Sequence, residues 1–365
     1  MKKTSEKDIF VDDSEFKDTV FAKCKGCGGN MVFDPKSQQL KCLFCATVRE
    51  FSKDSRVQEL DVETAFTSAE TWHNEVISQK CDGCGAIVTL SATETAKTCP
   101  YCGNSHVVEI DDLKGLKPNA VYPFQITKQS AIDGIKKWAK KKLFISSTFK
   151  KNLKPDNLYG VYEPCFTYDS QTFSNYDGVI GINRTRVVGS GKNRRTYTYT
   201  EWRSIYGNHR EFFDDITIEC SDAISQKDLN KLMPFDNSSL RVFDQSYLNG
   251  FMAHRSSSSV RDGWELAKSV IDASLRKSIL SGYHYHIVRR LNVDTTHNSV
   301  TYKYVLLPIY HVLYKHKKKL YKVLANGSTG KVTGKYPLSI LKILIAVLLG
   351  LGVLFLLGYL YSKSF

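Results

Sequence analysis

The chain has 365 residues, 42% hydrophobic and 12% aromatic, so it can bury a sizeable core and is not a wholly disordered polymer. Its formal net charge of +14 excludes an acidic protein and leaves nucleic acid, anionic lipid or plain solubility as meanings of the basic excess. Eight of its ten cysteines fall in Cys-x-x-Cys pairs, and residues 1–20 hold no apolar stretch of secretory type, so the pairs predict metal in a reducing compartment rather than disulfides.

In chain order, residues 1–20 predict a flexible polar arm and residues 21–51 a first zinc ribbon built on Cys24, Cys27, Cys42 and Cys45. A polar spacer follows over 52–77, with a short helix expected around Val62–Glu70. Residues 78–110 predict a second ribbon, since each of the four cysteines recurs 57 positions later as Cys81, Cys84, Cys99 and Cys102. Lys23, Gly26 and Gly28 recur as Lys80, Gly83 and Gly85. Each ribbon reads Cys-x-x-Cys, fourteen residues, Cys-x-x-Cys. Two such knuckles present four thiolates tetrahedrally, about 2.3 Å from a zinc ion. Gly28, Gly85 and Gly103 supply the sharp turn a knuckle needs at three of the four; Ala46 stands at the other. Two structural zinc ions are therefore expected, with rubredoxin-like iron as the rival metal. Four thiolates close the coordination shell and leave no place for a reacting water. His73 and His106 lie near these sites and read as ordinary solvated or packed histidines.

Residues 118–336 read as a mixed α/β region. Thr127 caps a predicted helix running to about Leu143, with Ile132, Ile135, Trp138 and Ala139 on one face and lysines on the other. Residues 157–220 predict strands, with a hairpin turn in the Gly-Ser-Gly-Lys-Asn-Arg-Arg run after Val188. Cys165 and Cys220 read as buried inert thiols. A second helix is expected at about 262–280. Three strands follow, at about 283–293, 299–314 and 319–325, packed as an antiparallel meander. His284 and His286 are placed on the first of them, sharing a face. The whole is thus a multidomain α+β chain: two small β ribbons, a mixed α/β region with antiparallel sheet, and one C-terminal transmembrane helix.

That helix is predicted within 338–361, leaving 362–365 as a tail. Nineteen residues from Ile343 to Tyr361 carry no charge, and at ~1.5 Å rise they span roughly the hydrocarbon thickness of a bilayer. Ahead of it lie Lys315, Lys317, Lys318, Lys319, Lys322, Lys331 and Lys335, then Lys342, with no acid from 315 to 335. Such a cluster predicts attraction to anionic headgroups and places the N-terminal domains on the cytoplasmic side of the cell membrane. Arg184, Arg186, Arg194 and Arg195 flank the hairpin with Tyr197 and Tyr199, the pattern on which nucleic-acid binding would rest. No catalytic constellation is present: the Gly-Ser-Thr-Gly-Lys at 327–331 lacks the spacing of a phosphate loop.

Three further stretches resemble a family. They are residues 158–181 (LYGVYEPCFTYDSQTFSNYDGVIG), 233–255 (MPFDNSSLRVFDQSYLNGFMAHR) and 306–339, which contains Asn-Gly-Ser-Thr-Gly-Lys at Asn326–Lys331. With the ribbons, they resemble bacterial transcription-factor-IIB-type zinc-ribbon proteins, sometimes labelled primosomal or helicase-like. Members with a C-terminal membrane helix resemble partners of envelope stress complexes of the phage-shock-protein-A type. The resemblance implies a non-enzymatic, tail-anchored adaptor that recruits protein partners to the membrane and touches its lipids; the alternative is a membrane-tethered nucleic-acid-binding regulator.

Overall fold

The computed structural model describes residues 9–10, 22–51, 56–67, 76–81, 87–91, 107–110, 116–151, 153, 158–221, 223–316 and 319–363. Strand β1 (Ile9–Phe10) pairs antiparallel with Lys315 and Tyr314, so part of the expected flexible arm is an edge strand. Four short strands then form a separate antiparallel sheet in sequence order: β2 (Ala22–Lys23), β3 (Asn30–Asp34), β4 (Gln39–Cys42) and β5 (Val48–Arg49). This small module does not hang free. Its Met31, Phe33 and Leu40 enter the largest core cluster, the Phe33 amide donates to the Asn249 carbonyl at 2.9 Å, and the Phe33 ring meets Tyr247 edge-on at 5.4 Å.

The spacer contributes β6 (Leu60–Asp61) and α1 (Val62–Thr67), where a helix was expected; residues 68–70 of that expectation lie outside the described residues. Strands β7 (Val76–Cys81), β8 (Ile87–Ser91) and β9 (Val107–Ile110) follow. Ile87–Ser91 sits 57 residues after Asn30–Asp34, so the backbone repeats the β3 position of the first module. The pairing then differs: β9 lies beside β7, whereas β5 lies beside β4.

The body is built on very long strands. After β10 (Ala120–Val121), α2 (Lys128–Lys140) and α3 (Ser147–Lys151) come β11 (Leu158–Val188) and β12 (Arg195–Glu219). Then follow α4 (Gln226–Leu232), β13 (Arg241–Val242), β14 (Met252–His254), α5 (Val260–Ser281), β15 (Ile287–His316), β16 (Lys319–Asn326), β17 (Val332–Gly334) and α6 (Ile340–Lys363). The N-cap of α2 is the expected one, with the Ser130 amide donating to the Thr127 hydroxyl at 3.2 Å; the helix stops at Lys140 and leaves Leu143 exposed. The sequence break expected between 293 and 299 is absent. β15 runs through it paired with β11, with a register shift between Asn298 and Thr301 where Ser299 takes φ 50°, so two predicted strands are one bulged strand.

Among the described residues the main sheet has 13 strands, with β12, β11, β15 and β16 as adjacent antiparallel neighbours. In the body, even positions of β15 (Leu306, Tyr310, Val312) face α2, α3 and the four-stranded module. Odd positions (Val305, Leu307, Ile309) face Leu229 and Leu232 of α4. Alternation with both faces covered explains why this stretch is apolar throughout. Helix α5 lies along the first of these faces. Val260, Trp264, Ala267, Ile271 and Leu275 pack on Phe166, Tyr168 and Tyr304, and its last turn places Ile279 against Ile180, Ile205 and Leu291.

Candidate metal centre

The two hairpin tips of the N-terminal module bring Cys24, Cys27, Cys42 and Cys45 together, with all four sulfurs within 4.8 Å of one another. Cys24 Sγ and Cys45 Sγ are 3.6 Å apart, and Cys27 Sγ and Cys42 Sγ 3.5 Å. Four thiolates at about 2.3 Å from a tetrahedral ion would stand ~3.8 Å apart, so the set is spaced to hold one metal ion with little movement. Backbone amides point at the sulfurs: Gly26 N lies 3.4 Å from Cys24 Sγ and Phe44 N 3.4 Å from Cys42 Sγ. Each knuckle closes on a residue with positive φ. Gly28 has φ 72°, and Ala46, at the position where the pattern departs from glycine, takes φ 58° as an L-residue.

The thiols are not equivalent. A hydrogen bond with the Thr47 hydroxyl, 3.0 Å away, brings Cys45 down to about 6. At Cys27 the Gly29 amide pulls downward, but the neighbouring Cys45 and Cys42 thiols outweigh it and push the group up to about 12. Cys45 therefore ionises more readily than Cys27, and a bound cation would replace thiol–thiol contacts with thiolate bonds.

Of the second predicted set, Cys81 ends strand β7, while Cys84, Cys99 and Cys102 lie outside the described residues, as do His73 and His106. Among the basic residues named from sequence, Lys317 and Lys318 also lie outside them. The rest do not form one free cluster. Lys322 Nζ donates to the Ala223 carbonyl at 2.7 Å, Lys331 Nζ to the Met233 carbonyl at 2.5 Å, and Lys342 Nζ to the Ile145 carbonyl at 2.9 Å. Lys315 and Lys319 flank the β15–β16 hairpin, and the Lys335 amide bonds the Lys322 carbonyl. The last of these elements, α6, is long and apolar enough to cross a membrane, and none of its residues is buried. Its root is fixed to the body where Ser339 N donates to the Phe144 carbonyl at 2.7 Å.

His284 and His286 are not on a strand. They occupy the turn before β15, with ring centroids 5.2 Å apart. Cys165 and Cys220 are buried as expected, and burial pushes both thiols up.

Two buried charge clusters escaped the sequence reading. Glu163 on β11 is wholly buried, with His254 Nδ1 of β14 against one carboxylate oxygen and His311 Nε2 of β15 2.9 Å from the other. Burial alone raises this carboxyl, but the two imidazoles outweigh it and hold it below the ordinary carboxylate range. The second cluster surrounds Lys303, whose Nζ is 2.8 Å from Asp215, 3.0 Å from Glu59 and 3.3 Å from Asp169. Asp169, Asp214 and Asp215 are close enough together to suggest a cation site, but the lysine ammonium already supplies the cation.

Against known proteins, the chain is 30% identical over 321 residues to the uncharacterized protein YdjG of Bacillus subtilis (strain 168), covering 87% of this chain and 90% of that one. The chain belongs to the YdjG family. No family profile matches the chain, and no solved structure matches it.

Proposed function

We propose that the protein is a non-enzymatic, membrane-anchored adaptor of the transcription-factor-IIB-type zinc-ribbon kind, carrying structural zinc and holding protein partners at the cytoplasmic face of the cell membrane. The observation that carries this reading is α6. It presents apolar side chains all round, none of them covered by the body, and lipid is the solvent that removes such a surface from water. Zinc is the ion that best suits four thiolates at these spacings, and a closed four-sulfur shell gives a rigid surface rather than a reactive centre. The second cysteine set, repeated at the same spacing, takes a second zinc. The lysines before α6 favour a cytoplasmic body by the positive-inside rule. An envelope stress complex of the phage-shock-protein-A type is the setting to which the sequence resemblance points.

The test is deletion of residues 337–365 together with Cys42→Ser in the full chain. Deletion moves the protein and its cross-linked partners from the membrane pellet to the soluble fraction. Cys42→Ser removes one of two zinc ions by elemental analysis and releases partners while the protein stays in the pellet. A full-length chain that is soluble without detergent, or a purified chain that carries iron or no metal, overturns the reading.

A further inference from the structure

The three-stranded arm made by β12, β11 and β15 does not end evenly. β15 begins at Ile287, opposite Gly181, while β11 and β12 continue as a two-stranded ribbon to Val188 and Arg195. Beyond Gly181, β11 therefore has no strand, among the described residues, on the side that β15 occupies lower down. Two contacts show how its backbone is aimed there. His286 N donates to the Gly181 carbonyl at 2.9 Å, and Asn183 N donates to His286 Nδ1 at 3.3 Å. Odd-numbered residues of β11 thus direct their amides and carbonyls to that side, and Thr185 and Val187 continue the series past the last partner. The result is a slot one strand wide, seven residues long from Ile182 to Val188, or ~24 Å, in line with β15 and closed at one end by the turn before it.

The side chains around the slot are sorted by the register. One face of the ribbon pairs Arg184 with Tyr199, Arg186 with Tyr197 and Val188 with Arg195. The other pairs Asn183 with Thr200, Thr185 with Thr198 and Val187 with Thr196. From Ile182 to Arg203 there are six basic residues and one acid, Glu201. Arg184 Nε and Arg203 Nη2 both bind Glu201, at 2.9 and 2.7 Å. Arg186, Arg194 and Arg195 have no carboxylate partner among the described residues, and all three are exposed.

We propose that this slot receives an extended, acidic segment of a partner polypeptide, which adds to β11 as a third strand and lays alternate carboxylates beside Arg184 and Arg186. Open main-chain groups select a polypeptide, because a strand can bond to Thr185 and Val187 and a nucleotide backbone cannot do so in register. Charge selects its composition. A second copy of the chain would set arginine against arginine across the new pair, which is unfavourable. Charge also selects the edge: an acidic strand on the β12 side would run beside Glu201, and on the β11 side it meets arginines. Nucleic acid is disfavoured by the same Glu201, which puts a carboxylate in the middle of the arginine and tyrosine face. The slot lies at the end of β11 opposite Leu158, while α6 is rooted near Phe144 and Phe149, and Phe149 packs on Tyr314 beside the Leu158 end. The full 31-residue strand spans ~100 Å, so the slot reaches for a partner away from the lipid surface. The inference takes the kind of partner from the adaptor reading and its geometry from the arm alone.

The experiment uses the full chain in detergent micelles and a fluorescein-labelled nine-residue peptide of alternating glutamate and valine with threonine ends. Fluorescence anisotropy is expected to show saturable binding that the same peptide with lysine for glutamate does not share. Arg186→Glu weakens it by about tenfold or more, the size of one charge-assisted contact, and Arg186→Lys largely restores it. Thr185→Pro, which removes one open amide without changing charge, abolishes it. Hydrogen exchange at residues 183–188 slows with peptide bound. Overturning results are no binding of the acidic peptide, binding indifferent to Thr185→Pro, or an oligothymidylate that binds as tightly and displaces the peptide. Any of these leaves the outcome of the tail deletion standing, so the slot and the adaptor role fail separately.

Discussion

From Leu158 to Ser170, β11 is buried at every position, and from Asn183 to Val188 it is exposed at every position. Both stretches belong to one uninterrupted strand. The difference lies in what covers the sheet. In the body, α4 lies on one face and α2, α5 and the cysteine module on the other, so the buried strand is built mainly of apolar or partnered residues. In the arm, α5 covers one face and stops at Ser281. Its last buried contact, Ile279, meets Ile180, Ile205 and Leu291, and past Ile182 burial ends. On the opposite arm face, Tyr206, Phe212 and Trp202 stand exposed. Helix cover, rather than strand propensity, sets where the body becomes an arm.

The largest expected effect separates the ion pairs of the two regions. Glu163 lies in the body with no solvent contact, between His254 and His311. Glu163→Ala removes the buried carboxylate that both imidazoles bond, at about 1–3 kcal/mol for each buried polar group affected, and should cost about 3–5 kcal/mol in urea denaturation. In the arm, Arg290 and Asp177 are 2.9 Å apart but more than half exposed, and Asp177→Ala should cost less than about 1 kcal/mol. Equal losses would mean that the arm is as sheltered as the body.

The same cluster sets the response to acid. Burial lowers the His311 imidazole, only partly offset by Glu163, and Glu163 itself is held below its ordinary value. Groups depressed on folding contribute stability above their unfolded pKa and lose it as pH falls. Thermal stability should therefore decline from about pH 6.5 downward, first through the histidine and then through the carboxyl. Asp169 acts in the opposite sense. Burial pushes it up to about 6 against the pull of the Asp215 amide and Lys303, so its contribution grows as pH falls below that value. Asp169→Asn should steepen the decline between pH 6 and 4. A midpoint that rises on acidification would remove Glu163 and His311 as the controlling groups.

Next in size is Ile205→Ala. Ile205 is 6% exposed, in the four-residue cluster that ties the arm to α5, and truncation should cost about 2–3 kcal/mol. Hydrogen exchange should accelerate at 175–182 and 203–209 while Tyr159–Phe166 keeps its protection, because the arm shares only the end of α5 with the body.

Much of this arrangement was legible in the sequence, for identifiable reasons. Helices α2 and α5 show 3.6-residue periodicity, with Thr127 as the cap of α2, and the paired Cys-x-x-Cys spacing names the four cysteines that the first module brings together. The hairpin after Val188 follows from its glycines; Gly189 has φ 94° and Gly191 φ 57°. The unbroken β15 was not legible. Asp294 to Asn298 looks like a turn, but in the arm polar residues pair across the strands: Ser174 Oγ meets Thr295 Oγ1 at 2.9 Å and Ser170 Oγ meets His297 Nδ1 at 3.1 Å. Nor could sequence bring Glu163, His254 and His311 together, since three strands far apart in the chain deliver one residue each. The docking of the cysteine module through Phe33 was hidden too, because a single aromatic in a short strand carries no sign of what it packs against.

The smallest effect tests whether α5 joins the two regions as one rigid splint. Ser259 caps it in a reciprocal box: the Asp262 amide donates to Ser259 Oγ at 3.1 Å, and the Ser259 amide donates to the Asp262 carboxylate at 3.3 Å. Ser259→Ala removes the hydroxyl and strands an amide at the helix start, for about 1 kcal/mol; Ser259→Gly should cost only a few tenths. The helix has 22 residues, and its first two turns are clamped by Val260 and Trp264 on Tyr168, whose hydroxyl donates to the Val260 carbonyl at 2.7 Å. Gly263 tightens the clamp, since a Cβ there would run into the Tyr168 hydroxyl. Fraying at the cap should therefore stop at this clamp. Hydrogen exchange should quicken at Asp262 and Gly263 and remain unchanged at residues 287–293 in the arm. If those arm amides quicken in step with the first turn, α5 transmits motion along its whole length, and the boundary between body and arm lies in the helix as a unit rather than at its end.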